Sequence, residues 1–275
     1  MTKVLSFTIQ KGGVGKTTSV TNIGSILAKN GKKVLILSFE PQGNIGASFK
    51  KYINDPSSWT NVYELIKKEK KFNPEEVNIF KHGRYGELDV IVADNRLSQL
   101  AIELSTTQDI KMKYHSLRLL VEDIKSVKEY DFILIDIDPQ ANELMINAII
   151  ASDEVVVPVK AGIYDSQGLP AVFTAIEGLN DALGMDKKVG LIFPTMINKV
   201  STKAERTWNQ MRDALEQNPL VENIVEYKKG VPQNSDIQNS LIENGVPAAL
   251  NENLHKKTLG KGVEAYKNIV EEYLL

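Results

Sequence analysis

The 275-residue sequence contains no cysteine. Disulfides, thiolate metal sites and a cysteine nucleophile are therefore excluded. No apolar run is long enough to span a bilayer, and the first residues lack the charged-then-apolar layout of a signal peptide. The expected location is the cytoplasm. Neither sign of charge dominates: 33 Lys and Arg stand against 35 Asp and Glu, a net charge of −2. The molecule as a whole is no polycation, so any contact with nucleic acid needs a local basic patch or an assembled dimer. No linker and no internal repeat divides the chain, and a single domain over residues 1–275 is expected. At 42% hydrophobic residues, a chain of this length buries a large core without staples.

What the sequence does have is one dense motif, Lys11-Gly12-Gly13-Val14-Gly15-Lys16-Thr17-Thr18. A short apolar run of strand character, residues 4–9, precedes it. Val20, Ile23, Gly24, Leu27 and Ala28 follow at helical spacing. A glycine turn with solvated lysines is the bland alternative. Strand, glycine-rich loop and helix in that order favour a phosphate loop instead. Glycines let successive backbone N–H groups turn inward around a phosphate, and the new helix adds its positive dipole end. Lys16 is then expected on the β/γ-phosphates, and the Thr17 hydroxyl on Mg²⁺. The general pattern asks for glycine five residues before Gly15. Gln10 stands there, followed by a second lysine, Lys11.

The remaining chain alternates strands and helices. Apolar runs predict strands at 34–37, 88–92, 132–136, 154–159 and 189–193. Helical spacing predicts a short helix near 61–70 and two helices within 97–127, broken near 106–108. Further helices are expected at 143–151, 167–183, 202–217, 235–244 and 258–274. This is the pattern of an α/β fold: a doubly wound, mostly parallel sheet flanked by helices. Segment 38–44 reads as a polar loop at the C-terminal end of a strand, where ligands bind in open α/β sheets. Phosphoryl transfer to water needs a metal and an oriented water beside the cradle. Asp136, ending the strand Phe132-Ile133-Leu134-Ile135, fits the metal role better than that of a helix cap.

The loop Lys11-Gly12-Gly13-Val14-Gly15-Lys16-Thr17-Thr18 resembles the deviant phosphate loop of the ParA/MinD ATPases. The resemblance implies ATP and Mg²⁺ as cofactors. It also implies that Lys11 crosses a dimer interface to the partner's nucleotide. The iron–sulfur branch of that superfamily is excluded, since its clusters need cysteine ligands. Where the family reads Asp-x-Asp-Pro-Gln-Gly, this chain reads Ser38-Phe39-Glu40-Pro41-Gln42-Gly43. Glu40 then becomes the candidate for positioning the water, with Lys11, Lys16 and Asp136 as the other catalytic groups. Its extra methylene moves the oxygens beyond the usual catalytic tolerance, so slow hydrolysis is expected. Asp138 either reinforces the metal shell or is a solvated loop residue. Pro232 and Asn234, in Val231-Pro232-Gln233-Asn234, match the family's Pro-Arg-Asn loop, which packs on adenine; Gln233 replaces the arginine. A plain proline turn is the alternative there. Met196 falls in a second base-proximal loop, 195–198. The loop begins at residue 11, so the chain is similar to the small Soj-like type, without the N-terminal DNA-reading domain of larger plasmid members.

Three functions compete. The first is an ATP-driven DNA partition protein of the nucleoid. The resemblance implies a homodimer closed by ATP, non-specific double-stranded DNA, and a centromere-binding ParB-type adaptor. Lys199, Lys203 and Arg206 are the candidate phosphate contacts, with Arg212, Lys228, Lys229, Lys256, Lys257 and Lys261 as further cations. Such residues are also ordinary solvated faces. The second is a MinD-like membrane-positioning ATPase, which needs a basic amphipathic terminal helix. The last helix carries Glu264, Glu271 and Glu272 on its polar side, which an anionic membrane repels, so core packing is expected. The third is a metabolic ligase or kinase, for which the sequence offers no acceptor-substrate motif.

Overall fold

The computed structural model describes all residues except 54–58, 82–85, 138–141, 163–167, 199, 243 and 252–256, and excepting also the side chains of 78, 80, 81, 142, 242 and 257–259. Seven strands form one sheet: β1 (Lys3–Phe7), β2 (Lys33–Phe39), β3 (Asn78–Lys81), β4 (Glu87–Ile91), β5 (Phe132–Ile137), β6 (Glu154–Lys160) and β7 (Val189–Thr195). Their order is β3-β4-β2-β5-β1-β6-β7. All pairs are parallel except the edge pair of β3 with β4. The helices are α1 (Lys16–Lys29), α2 (Asn44–Ser48), α3 (Val62–Ile66), α4 (Arg96–Thr106), α5 (Ile110–Val127), α6 (Asn142–Ala151), α7 (Leu169–Leu183), α8 (Thr202–Leu215), α9 (Ser235–Ile242) and α10 (Lys257–Tyr273).

Strand residues alternate between two cores. Val4, Leu35, Leu37, Ile133 and Ile135 join the core that includes α4 to α7. Leu5, Phe7, Val34, Ile36 and Leu134 join the other, with α1 and α10. Both faces are covered, which is why the parallel strands read as continuous apolar runs. The doubly wound sheet is as the sequence predicts. α10 packs its apolar face on α1: Tyr266, Ile269 and Val270 are buried there, so that face is core.

β1 and β5 leave the sheet side by side, with Phe7 paired to Asp136, and Ser38 on β2 is paired to Asp136 from the other side. Register partners on parallel strands share a face. Asp136 and Ser38 therefore both face α1, whose N-terminus sits at the C-terminal ends of these central strands.

Candidate nucleotide-binding site

The chain leaves β1 and turns through residues 8–15 into α1. Gly15 ends the turn with φ 87° in the left-handed region, where a side chain would be strained. The loop is fastened from three directions. Thr195 Oγ1, at the end of β7, donates to the Val14 carbonyl at 2.8 Å. Ser19 Oγ donates to the Gly15 carbonyl at 2.7 Å. The Tyr266 hydroxyl of α10 lies 3.1 Å from Ser19 Oγ. Since Ser19 has given its proton to Gly15, Tyr266 is the donor in that pair. Lys16 Nζ donates to the Lys11 carbonyl at 3.0 Å, which folds its side chain along the inside of the loop.

A cavity of about 730 Å³ opens in front of this loop. Gly12, Gly13, Gly15, Lys16, Thr17 and Thr18 line one wall, and Glu40, Gln42 and Asn44 another. Thr17 Oγ1 donates to Asp136 Oδ2 at 2.7 Å. Asp136 is fully buried, and its Oδ1 has no hydrogen-bond partner among the described residues. Burial pushes its carboxyl up to about 7, against the Thr17 hydrogen bond; the Glu40 carboxylate pushes the same way and Lys16 opposes it. Ser38 Oγ beside it is likewise buried and unpartnered among the described residues. A hydroxyl and a buried carboxylate with a free oxygen form a hard oxygen donor set, which fits Mg²⁺.

Glu40 sits at this cavity but is heavily engaged. Its Oε1 accepts from the Gln42 N–H at 2.9 Å, and its Oε2 accepts from the Asn44 N–H at 3.3 Å and from Asn44 Nδ2 at 3.1 Å. Residues 40–43 are loop as expected, and the short helix α2 starts only at Asn44, the last residue of that segment; Glu40 ties down its first turn. Gly43, at φ 68°, starts that helix where a Cβ would lie 2.9 Å from the Ala93 carbonyl oxygen.

A second cavity, of about 120 Å³, adjoins the first. Met196, Pro232 and Asn234 all line it, together with Gln233, Ile237 and Tyr266. The two expected base-proximal loops are joined directly: the Ile197 N–H donates to the Val231 carbonyl and the Gln233 N–H to the Ile197 carbonyl, both at 3.0 Å. Met196 is held at φ 52°, a strained conformation for a side-chain-bearing residue. Its methyl carbon comes within 4.0 Å of where a Gly15 Cβ would be.

The structure thus gathers Lys16, Thr17, Glu40, Asp136, Met196, Pro232 and Asn234 around two adjoining cavities. Lys11 lies on the loop itself and is half-buried. Lys203 and Arg206 lie apart from them, exposed one turn apart on α8. Lys228 and Lys229 are engaged with Glu205 at 3.0 Å and Glu272 at 2.8 Å. Asp138, Lys199 and Lys256 fall outside the described residues. Sequence reasoning missed the fastening contacts of Thr195, Ser19 and Tyr266. Each acts across more than a hundred residues or through a buried hydroxyl in a helix, and no local pattern marks such a contact.

A family model described as an AAA domain matches residues 2–189. The sporulation initiation inhibitor protein Soj of Bacillus subtilis is 33% identical over 198 residues, covering 72% of this chain and 74% of Soj. This chain belongs to the ParA/Soj family of P-loop ATPases. A putative plasmid partition protein of Borrelia burgdorferi, solved with AMPPNP, superposes with a TM-score of 0.74 at 22% identity, covering 100% of this chain and 99% of that one. The cobyrinic acid a,c-diamide synthase of Mycobacterium smegmatis, solved with an ATP analog and magnesium, gives a TM-score of 0.74 at 22% identity, covering 98% and 93%. A partition protein and a biosynthetic enzyme share the fold equally, so the ParA/Soj fold alone does not choose between their activities.

Proposed function

We propose that this chain is an ATP-dependent DNA partition protein in which Mg-ATP closes a homodimer onto double-stranded DNA and hydrolysis releases it. The observation that carries the reading is the phosphate loop with its extra Lys11, set before an orphaned buried carboxylate, in a chain related in sequence to Soj. A ligase does not need a second lysine on its phosphate loop. A cation there serves a phosphate presented from outside, as in two protomers facing each other.

The amides of Gly12 to Thr18 bind the phosphates. Lys16 leaves the Lys11 carbonyl for the β/γ-phosphates, and Lys11 serves the partner protomer's nucleotide. Thr17 and Asp136 would hold Mg²⁺, which would supply charge neutralisation at the terminal phosphates. Met196, Pro232 and Asn234 surround the base. Glu40 positions the water, but three N–H groups already occupy its oxygens. Its lone pairs are shared with the α2 turn, which supports slow turnover. Lys203 and Arg206, with Lys199, supply contacts to DNA phosphates, and a ParB-type adaptor links the cargo. The apolar face of α10, with Tyr266, Ile269 and Val270, is buried against the core. That speaks against the membrane-positioning alternative.

The test is fluorescence anisotropy of a labelled duplex with ATP, with ADP and without nucleotide, at two salt concentrations. Binding in ATP alone, falling steeply with salt and indifferent to sequence, is expected. Replacing Lys199, Lys203 and Arg206 together with alanine should flatten the salt slope and leave ATP binding intact. Equal DNA affinity in all nucleotide states contradicts the switch. Absent DNA binding together with ATP-dependent binding to anionic vesicles favours the membrane reading.

A further inference from the structure

The phosphate cavity and the base cavity meet along a seam, and Gly15, Thr18, Met196 and Gln238 are the residues that line both. In any nucleotide the sugar joins base to phosphate, so the sugar must lie at this seam if the phosphates and base lie on either side. Gly15 offers no side chain. Met196 offers a thioether, a weak acceptor. Thr18, in the first turn of α1, belongs to the run Gly12 to Thr18 that the reading above gives to the phosphates. Gln238, on the exposed side of α9, has a carboxamide with both donors and an acceptor. It has no hydrogen-bond partner among the described residues.

We propose that Gln238 binds a ribose hydroxyl and makes the site selective for ribonucleotides over their deoxy analogues. The inference rests on the nucleotide reading given above and adds a specificity residue to it. A sugar hydroxyl both donates and accepts, and a carboxamide matches it in either direction. A deoxy sugar leaves the carboxamide with nothing to bind at the seam, so affinity falls by the worth of one hydrogen bond. α9 also carries Ile237 into the core under α10, so the helix that presents Gln238 is anchored rather than loose.

The test is calorimetric titration of the full chain with ATP, 2′-deoxy-ATP and 3′-deoxy-ATP, all with magnesium. The parent is expected to bind at least one deoxy analogue about fivefold to tenfold more weakly than ATP. Gln238→Ala should bring ATP down to that level and leave the affinity for the affected analogue unchanged. Gln238→Glu, which keeps an acceptor, should retain part of the preference. Thermal melting of both variants should match the parent. Equal affinity of the parent for all three nucleotides overturns the inference and leaves the nucleotide site standing. So does an equal loss for every nucleotide in Gln238→Ala. Failure of the parent to bind any of the three overturns the nucleotide reading itself, and the inference with it.

Discussion

Asp89 and Asp136 are both fully buried in one sheet, on β4 and β5, with only β2 between them. Asp89 accepts from Lys128 Nζ and from the Tyr130 hydroxyl, each at 2.6 Å. Lys128 answers in kind: burial alone lowers its pKa, but the bonds from Asp89 and Glu87 outweigh that and raise it. Asp136 has one hydroxyl donor and one oxygen without a partner among the described residues. The first carboxylate is closed within the protein and acts as structure. The second lies at the C-terminal end of the sheet, beside a cavity, with capacity to spare. A buried charge left incomplete is costly for the chain alone, and its completion by a bound cation recovers that cost.

The largest effect should come from breaking the closed pair. Asp89→Ala leaves Lys128 with Glu87 as its remaining partner and the Tyr130 hydroxyl unpaired. It should destabilise the protein by about 1–3 kcal/mol in urea unfolding. In the fraction that stays folded, ATP affinity should be unchanged.

The open carboxylate should behave in the opposite sense. Its folded pKa, about 7, lies above the ordinary 3.8, so ionised Asp136 opposes folding. The contribution of its neutral form is fully present below pH ~4 and is lost as pH rises through ~7. Without nucleotide and metal, Asp136→Asn should therefore melt like the parent near pH 4 and above it at pH 8. The same variant should lose most of the magnesium dependence of ATP binding. Equal melting of the two proteins at pH 8 breaks the comparison.

Glu40 sharpens it further, because it sits between the two extremes: satisfied by local donors, yet facing the cavity. Glu40→Ala should cost about 1 kcal/mol in stability through the lost anchor of α2. It should also lower turnover and prolong the ATP-bound state. Glu40→Asp separates the roles. Faster hydrolysis marks Glu40 as the water-positioning group with imperfect reach. If Glu40→Ala hydrolyses like the parent while Asp138→Ala does not, the catalytic carboxylate is Asp138. The smallest effect is expected at Tyr266→Phe, which keeps the core filled and removes the donor to Ser19. ATP affinity should fall about twofold to fivefold, with little change in melting.

The central strands were legible because they are apolar on both faces, and the phosphate loop because glycine, lysine and threonine stand between strand and helix. Asp136 was legible by its place at the end of Phe132-Ile133-Leu134-Ile135. β3 was not, since an antiparallel edge strand of four residues, Asn78-Ile79-Phe80-Lys81, has no long apolar run in its sequence. α2 was hidden by its length of five residues and by Pro41 and Gly43 just before it. The engagement of Glu40 by Asn44 follows from that hidden helix. Tyr266 reads in sequence as one more apolar position of α10. Only the packing of α10 on α1 turns its hydroxyl toward Ser19 and the loop.

The most direct test is the number of protons released when Mg-ATP binds at pH 6. It is measured by titration calorimetry in two buffers of different ionisation enthalpy. With its carboxyl pushed up to about 7, Asp136 should be mostly protonated at that pH in the free protein, and the proposed metal role requires it to ionise. The parent should therefore release about one proton more than Asp136→Asn. Equal proton release by the two proteins, with ATP bound by both, would contradict Asp136 as the open carboxylate that the metal completes.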